Sequence, residues 1–315
     1  MKILVLGAGA IGSVFGGFLA KSGNRVVLYG RDRCITPIND QGLTIEGIWG
    51  SHHVTNIKGY SNLNKIARCE GTSFDLVFLT VKSYDTTNVL EHYVQTFDTS
   101  AIVVSLQNGL GNIEIIEKLL GRKQTIGGRV IFGAELIAPA HVKVTVYADK
   151  VVLGSLSGGV PLKKVQEICE LFNASGIPTT FTEEIEKHIW GKVLYNATLN
   201  PLSCLLEVKY GKLLENAESK GIMEDIISEI FLLLQKSNSS VFWQDANEYR
   251  DHLFNQLIPP TCQHFSSMLQ DIRSGKKTEI DSLNGSVVSR ADTLGIDLPV
   301  NRVLTALVKA KNSQH

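Results

Sequence analysis

A glycine-rich run directly after the first apolar segment constrains the fold of this chain more than any other feature. Residues 2–6 predict a buried β-strand, and the six residues that follow are Gly7, Ala8, Gly9, Ala10, Ile11 and Gly12. A Gly-x-Gly-x-x-Gly spacing between a strand and a helix permits a tight turn, close backbone approach to a pyrophosphate and close helix packing. The helix N-terminus adds unpaired N–H groups that favour phosphate oxygens. We therefore expect these six residues to bind a dinucleotide; a glycine-rich turn without a ligand is the alternative.

The rest of the first half alternates short β-branched runs with helical segments. The predicted strands are residues 2–6, 25–29, 76–81, 102–106, 125–132 and 150–154, with a short one near 178–182. The predicted helices are residues 11–22, 85–96, 112–120 and 162–175. Such alternation indicates a parallel sheet with helices on its faces. Residues 43–56 are better interpreted as a small hairpin outside this pattern.

After about residue 181 the pattern changes class, because strand signals vanish and helical apolar periodicity takes over. The predicted helices of this half are residues 183–206, 211–237, 244–257 and 277–294. A chain of 315 residues exceeds the usual size of one domain. We therefore predict an α/β Rossmann-type dinucleotide-binding domain over residues 1–181, followed by an all-α C-terminal domain over residues 182–315.

Composition excludes several classes of partner. The 31 Lys and Arg residues balance the 31 Asp and Glu residues, so no global field attracts nucleic acid or an anionic membrane. Five scattered cysteines without a Cys-x-x-Cys pair indicate neither a disulfide framework nor a metal site. The chain shows neither signal-peptide features nor an apolar run near the roughly 20 residues that cross a bilayer. We expect a cytoplasmic protein with a small-molecule substrate; whether it forms a homodimer is left open.

The end of the second predicted strand bears on the choice of nicotinamide cofactor. Sites that prefer NAD usually place a carboxylate there, which holds the ribose 2′-hydroxyl. Here Tyr29 and Gly30 are followed by Arg31, whose planar guanidinium can clamp a 2′-phosphate. Asp32 is adjacent and weighs against this interpretation. NADPH is favoured over NADH, with Arg31 as a solvated loop charge as the alternative.

Two further positions follow predicted strands, where open α/β sheets bind their ligands. Lys82 follows residues 76–81, and it suits either the cofactor or a substrate carboxylate. Asn108 follows residues 102–106, and it suits either the nicotinamide ribose or the substrate. Asn108-Gly109 is also a common turn dipeptide, so a purely structural role stays open.

The most informative helix is residues 183–206, which carries a polar strip on an apolar background. Lys192, Asn196 and Asn200 are spaced i, i+4 and i+8 and share one face. Buried without partners, each group would cost about 1–3 kcal/mol, and asparagine is a poor helix former. The strip faces either a substrate or solvent. His188 is the rival general acid, but Lys192 is preferred because it shares the helix core with both amides.

A second polar set lies downstream, at Ser267 and Glu279. Glu279 begins a predicted helix over residues 280–294. Taken alone, the set is typical of a charged loop and a helix N-terminus, where acidic residues are favoured.

Together these motifs resemble the ketopantoate reductase family, over nearly the whole chain and in the family's order. Besides the glycine-rich loop, the matching motifs are Val81-Lys82, Gln107-Asn108-Gly109, Trp190-x-Lys192-x3-Asn196-x3-Asn200-Pro201, Ser267-Met-Leu-Gln-Asp and Thr278-Glu279-Ile280-Asp281. The C-terminal motifs are much more specific than the glycine-rich loop. One departure is the loop 138–142, Ala-Pro-Ala-His-Val, where we expect a glycine.

The resemblance implies an NADPH-dependent reduction of 2-dehydropantoate to pantoate, a step of pantothenate synthesis, in a cleft between the two domains. It implies that Lys192 is the catalytic lysine and Glu279 the acidic residue of the site. The implied substrate ligands are Asn108, Asn196, Asn200 and Ser267. The implied cofactor contacts, beyond the glycine-rich loop, are Arg31, Lys82, Asn108 and Glu279. A reductase of another 2-oxo acid and a non-catalytic dinucleotide sensor remain alternatives; a sensor has no need of the polar strip and Glu279 together.

Overall fold

The computed structural model describes residues 1–237 and 239–314, and the chain divides into two compact units. The first unit contains Met1–Gln107 and Asn112–Ile185. The second joins the short loop Asn108–Gly111 to the chain from Glu186 onward. The predicted boundary after residue 181 stays a prediction.

The strands of the described residues all lie in the first unit. In order they are β1 (Lys2–Leu6), β2 (Arg25–Tyr29), β3 (Leu43–Gly47), β4 (His52–Val54), β5 (Ile57–Tyr60), β6 (Leu76–Leu79), β7 (Ile102–Ser105), β8 (Thr125–Arg129), β9 (Phe132–Ala138), β10 (His141–Tyr147), β11 (Val151–Gly154) and β12 (Thr179–Phe181).

The α-helices of the first half alternate with these strands, and those of the second half follow one another. They are α1 (Ala10–Lys21), α2 (Asp32–Gln41), α3 (Leu63–Glu70), α4 (Thr86–Thr96), α5 (Asn112–Leu120), α6 (Leu162–Ala174), α7 (Ile185–Leu206), α8 (Tyr210–Glu215), α9 (Ala217–Ser237), α10 (Ala246–His252), α11 (Ser267–Arg273), α12 (Asn284–Thr293) and α13 (Pro299–Asn312). The predicted class, an α/β Rossmann-type unit followed by helices, is confirmed.

The main sheet has eight strands in the order β12-β11-β8-β7-β6-β1-β2-β5. Neighbouring strands are parallel except β8 and β11, which are antiparallel. Apolar clusters cover both faces, one against α1 and α6 and the other against α3, α4 and α5. Because β1 continues to β2 on one side and β6 lies on its other side, the strand order reverses between β1 and β6. Open α/β sheets bind ligands at such a reversal.

A second sheet has the order β4-β3-β10-β9. The antiparallel pair β3–β4 confirms the hairpin predicted within residues 43–56. The predicted strand 125–132 is wrong as a single element, because β8 ends at Arg129 and β9 begins at Phe132 in the other sheet. The loop 138–142 joins β9 to β10 as a hairpin. In it Ala140 has φ 58, the left-handed conformation that favours glycine, so the expectation of a glycine there has a physical basis.

A polar cluster fastens the end of α3 to the main sheet. The buried carboxylate of Glu70 accepts hydrogen bonds from the Tyr60 hydroxyl at 2.6 Å and from Arg25 at 2.5 Å. Burial alone would raise the pKa of Glu70, but these hydrogen bonds and the charge of Arg25 hold that pKa below its ordinary value. The carboxylate is therefore charged in the folded protein.

Three predicted helices of the second unit are interrupted. Residues 211–237 form α8 and α9, which are separated by extended backbone at Asn216. Residues 244–257 form α10 and then a five-residue π-helix, Leu253–Leu257. Residues 277–294 contain a 3₁₀ turn, Ile280–Ser282, a break at Leu283 and only then α12. Apolar periodicity runs across all three breaks, so the pattern alone could not reveal them. The helices α11 and α13 were not predicted.

A polar chain inside the second unit holds α7 in place. Asn284 Nδ2 donates to the carbonyl oxygen of Ala197 at 3.0 Å and to Asn301 Oδ1 at 2.9 Å. Asn301 Nδ2 in turn donates to Glu229 at 2.7 Å, and the same carboxylate accepts from the Val300 amide at 2.8 Å.

Within residues 1–237 and 239–314, none of the helices combines the length and apolar character that a membrane crossing requires.

Candidate active site

The glycine-rich loop follows β1 at the strand-order reversal. Gly7 has φ 127, and its amide donates to Tyr29 O at 3.0 Å. A Cβ on Gly7 would come within 2.6 Å of Val81 N, and one on Gly12 would overlap the carbonyl oxygen of Gly7. Packing alone therefore requires glycine at both positions. A Cβ on Gly9 would meet no atom of the described chain within 4 Å, so the space above Gly9 is open.

Two residues that the sequence analysis did not single out hold this loop. Thr80 Oγ1 donates to Gly7 O at 2.8 Å, which joins the end of β6 to the turn. Gly30 lets the end of β2 approach, because a Cβ there would lie 2.6 Å from the Cβ of Ala8. The helix α1 then begins at Ala10. Since Gly9 has no side chain with which to cap it, the first-turn N–H groups remain available to an anion.

Arg31 is exposed and is the N-cap residue of α2. Asp32 is the first residue of that helix, where a carboxylate is stabilised by the helix dipole. Asp32 thus has a structural explanation that is independent of any ribose.

Lys82 is half-buried and caps the 3₁₀ turn Ser83–Asp85. The turn is tied to β7 through Gln107, whose Nε2 donates to Val81 O and to Thr86 Oγ1, both at 2.8 Å. Gln107 therefore orders the chain on either side of Lys82.

The polar strip of α7 is not on an exposed face. Asn200 is 3% exposed, and Lys192 and Asn196 are half-buried. Burial therefore contradicts the solvated alternative for Asn200, whereas for Lys192 and Asn196 both alternatives stay open. His188, one turn earlier, packs its ring edge-on against Phe242, with 4.7 Å between the ring centroids.

A small polar cavity lies inside the second unit. Its volume is about 10 Å³, which is room for about one water molecule. The lining residues are Asn108, Asn200, Ser267, Met268, Asp271, Glu279 and Leu283. Four of these are predicted site residues, and they come from segments that are distant in the sequence.

The loop Asn108–Gly111 is fastened beside Glu279 by direct backbone contact. The amide of Leu110 donates to the carbonyl oxygen of Ser282 at 2.8 Å. Gly109, with φ 83, lies so close that a Cβ would be 2.8 Å from the carbonyl carbon of Ser282 and nearer still to its oxygen. Ser282 in turn donates its amide to Glu279 O at 3.1 Å. These contacts bring Asn108 and Glu279 to the same cavity.

On the other side of the cavity, α11 presents Ser267 and Asp271. Ser266 caps this helix, because its Oγ accepts from Leu269 N at 3.1 Å. Ser267 is the first helical residue and is exposed, whereas Asp271, one turn later, is 8% exposed. The sequence analysis assigned no role to Asp271; its i+4 spacing from Ser267 was the signal that could have found it.

Comparison with known proteins decides the family. A family model described as "Ketopantoate reductase PanE/ApbA" matches residues 3–158, and one described as its C terminal matches residues 184–312. The chain belongs to the ketopantoate reductase family. The resemblance inferred from the motifs is thereby confirmed.

Relatives within this family align with the chain over nearly its full length. The 2-dehydropantoate 2-reductase of Aquifex aeolicus is 37% identical over 311 residues, which are 99% of this chain and 97% of that protein. That of Pyrococcus horikoshii is 39% identical over 317 residues, 99% of this chain and 98% of that protein.

Solved structures show the same architecture. A ketopantoate reductase from Ralstonia eutropha has a TM-score of 0.88 at 30% identity, with 100% of both chains covered. The ternary structure of D-mandelate dehydrogenase with NADH and anilino(oxo)acetate has a TM-score of 0.86 at 27% identity, with 100% of this chain and 99% of that chain covered.

The ketopantoate reductase motifs thus fall into two groups in this chain. The glycine-rich loop, Arg31 and Lys82 belong to the first unit. Asn108, Asn200, Ser267 and Glu279 share the cavity of the second. Lys192 and Asn196 lie on the same helix as Asn200 but are not among the residues that line the cavity. The roles of all these residues stay predictions.

Proposed function

We propose that this chain reduces 2-dehydropantoate to pantoate with NADPH, as a step of pantothenate biosynthesis. The observation that carries the proposal is the polar cavity lined by Asn108, Asn200, Ser267 and Glu279 in a member of the ketopantoate reductase family. The names of the relatives at 37% and 39% identity support the same substrate.

The substrate presents a carboxylate, a ketone and a hydroxyl group, and the predicted polar set offers a partner for each. Ser267 is the first residue of α11, so its hydroxyl and the unpaired first-turn N–H groups suit a carboxylate. The amides of Asn196 and Asn200 suit the neutral ketone and hydroxyl oxygens. A buried amide also discriminates, because a substrate that lacks the hydroxyl leaves the amide unpaired.

Lys192 is assigned the proton transfer. When bound, the reduced nicotinamide supplies the hydride that C2 of the ketone accepts. The Lys192 ammonium polarises the carbonyl oxygen and donates the proton that completes the hydroxyl. Glu279 positions or balances that charge.

The first unit is assigned the cofactor. The open space above Gly9 and the uncapped start of α1 fit a pyrophosphate, and residues 7–12 would contact it. Arg31 would clamp the 2′-phosphate of NADPH. Lys82 of the first unit, and Asn108 and Glu279 of the second, are also assigned to cofactor binding.

A second candidate is the reduction of another 2-oxo acid, which the likeness to D-mandelate dehydrogenase favours. The discriminating experiment compares kcat/KM for ketopantoate, 2-oxoisovalerate and pyruvate. Ketopantoate should exceed the other two by about tenfold or more, which corresponds to roughly one hydrogen bond. Equal values would assign the chain to another 2-oxo acid. If none of the acids causes NADPH oxidation, the remaining alternative is a non-catalytic dinucleotide sensor.

A further inference from the structure

Tyr210 contacts one of the residues that line the polar cavity. It is the first residue of α8 and is 3% exposed. Its hydroxyl donates to Asn200 Oδ1 at 2.6 Å, and the pair is buried. Tyr210 was assigned no role from the sequence.

The Tyr210 phenol must be protonated to donate this hydrogen bond. Burial raises the pKa of Tyr210 well above its ordinary value, and neighbouring Tyr195 raises it further. The phenol therefore keeps its single proton, which it donates to the amide oxygen. The Tyr210 ring is held between two neighbours, because it packs edge-on against Tyr195, at 5.9 Å between centroids, and in a tilted arrangement against His264 at 5.5 Å.

The other half of the Asn200 amide is left for the cavity. In the side chain, Tyr210 donates to Oδ1. In the backbone, the carbonyl oxygen of Asn200 accepts from Ser266 Oγ at 3.4 Å. No hydrogen bond joins Nδ2 to residues 1–237 or 239–314, and Asn200 lines the cavity. An amide that flipped would place its NH2 group against the Tyr210 hydroxyl and present an oxygen to the cavity instead.

We propose that Tyr210 is a positioning residue that fixes Asn200 as a hydrogen-bond donor to an acceptor oxygen of the 2-oxo acid. The inference rests on the proposed function in taking the polar residues around this cavity as part of the substrate site. Ketone and carboxylate oxygens only accept hydrogen bonds, so an amide of fixed direction binds them without first reorienting.

The test is Tyr210→Phe, which keeps the ring and removes the donor. We expect an increase of about tenfold in KM for whichever acid the wild type reduces best. KM for NADPH should be unchanged. Tyr195→Phe is the matched control, since it removes a neighbouring, partly buried hydroxyl whose partner is Thr261 at 2.9 Å. Both variants should lose some thermal stability, but only Tyr210→Phe should change KM for the acid.

A double-mutant cycle separates positioning from general packing. In an Asn200→Ala background, Tyr210→Phe should have no further effect on KM for the acid.

Asn200→Asp tests the orientation of the Asn200 amide without altering Tyr210. It replaces the donor by an anionic acceptor, so kcat/KM should fall below that of Asn200→Ala at neutral pH and recover as pH falls and the carboxyl regains a proton.

Two results would overturn the inference while the proposed function survives. One is an unchanged KM for the acid in Tyr210→Phe; the other is an Asn200→Asp variant as active as wild type at neutral pH. A wild-type chain that reduces no 2-oxo acid would remove the proposed function and this inference together.

Discussion

Replacing Gly109 by alanine should damage the active site through one backbone contact. A methyl group there would lie 2.8 Å from the carbonyl carbon of Ser282 and closer to its oxygen, whereas Cβ contacts under 3.0 Å are essentially never seen. The loop must therefore retreat from Ser282, which weakens the hydrogen bond from Leu110 and carries Asn108 away from Glu279. A misplacement of about 1 Å can cost about 10²-fold in rate. We expect Gly109→Ala to lower kcat/KM by about that factor.

The same loop contains a matched control. Gly111 also has a positive φ, at 92, but a Cβ there meets nothing within 4 Å in the described chain. Gly109→Ala and Gly111→Ala therefore share the cost of a left-handed alanine, about 1–2 kcal/mol. Only the first adds the collision with Ser282.

The assay is kcat/KM for ketopantoate together with thermal unfolding of both variants. Both should unfold at lower temperature than wild type, with Gly109→Ala the lower, and only Gly109→Ala should lose most of its activity. If the two variants lose activity equally, backbone strain accounts for the loss, and the contact with Ser282 does not position Asn108.

Three further predictions follow from the site and from the Glu70 cluster. Arg31→Ala should raise KM for NADPH and leave KM for NADH nearly unchanged. Equal changes in both KM values would show that Arg31 does not bind the 2′-phosphate. Lys192→Ala should lower kcat by about 10²-fold or more with the fold intact, whereas His188→Ala should retain most of its activity; the reverse result would transfer the acid role to His188. Because the pKa of Glu70 is lowered in the folded state, its contribution to stability is present above the ordinary value of 4.5 and is lost as pH falls below it. Glu70→Gln should therefore lower the melting temperature at pH 7 by more than at pH 4, and a gap that does not depend on pH would contradict this reasoning.

The sequence predicted the elements whose signal is local. The strands β1 and β2 and the helix α7 carry apolar patterns that match their burial, and they were found within two residues of their observed ends. The pairing of β3 with β10 could not be predicted, because it joins segments about a hundred residues apart and depends on tertiary packing. The strand β5 was missed because its Lys58 and Gly59 weaken the apolar pattern.

The residues of the candidate site also divide into those with a local sequence signal and those without one. The polar strip on α7 was visible because a repeat of four residues places side chains on one helical face. The role of Gly109 was only half visible: the Asn-Gly dipeptide indicates a turn, but nothing local points to Ser282. Tyr210 gave no signal, because a tyrosine beside a buried amide looks in the sequence like any other apolar residue of the core.

The loop Asn108–Gly111 also implies an order in which parts of the protein form during synthesis. Gly109 is synthesised about 170 residues before Ser282, so at synthesis rates of about 5–20 residues per second the loop exists for about 9–35 s before Ser282 is made. During that interval the strands on either side of it can already pair, because β7 and β8 both precede Glu186, where the second unit resumes. The cavity that receives Asn108 is therefore among the last features of the nascent chain to form. Any chain that stops before residue 280 lacks the backbone on which Gly109 and Leu110 rest.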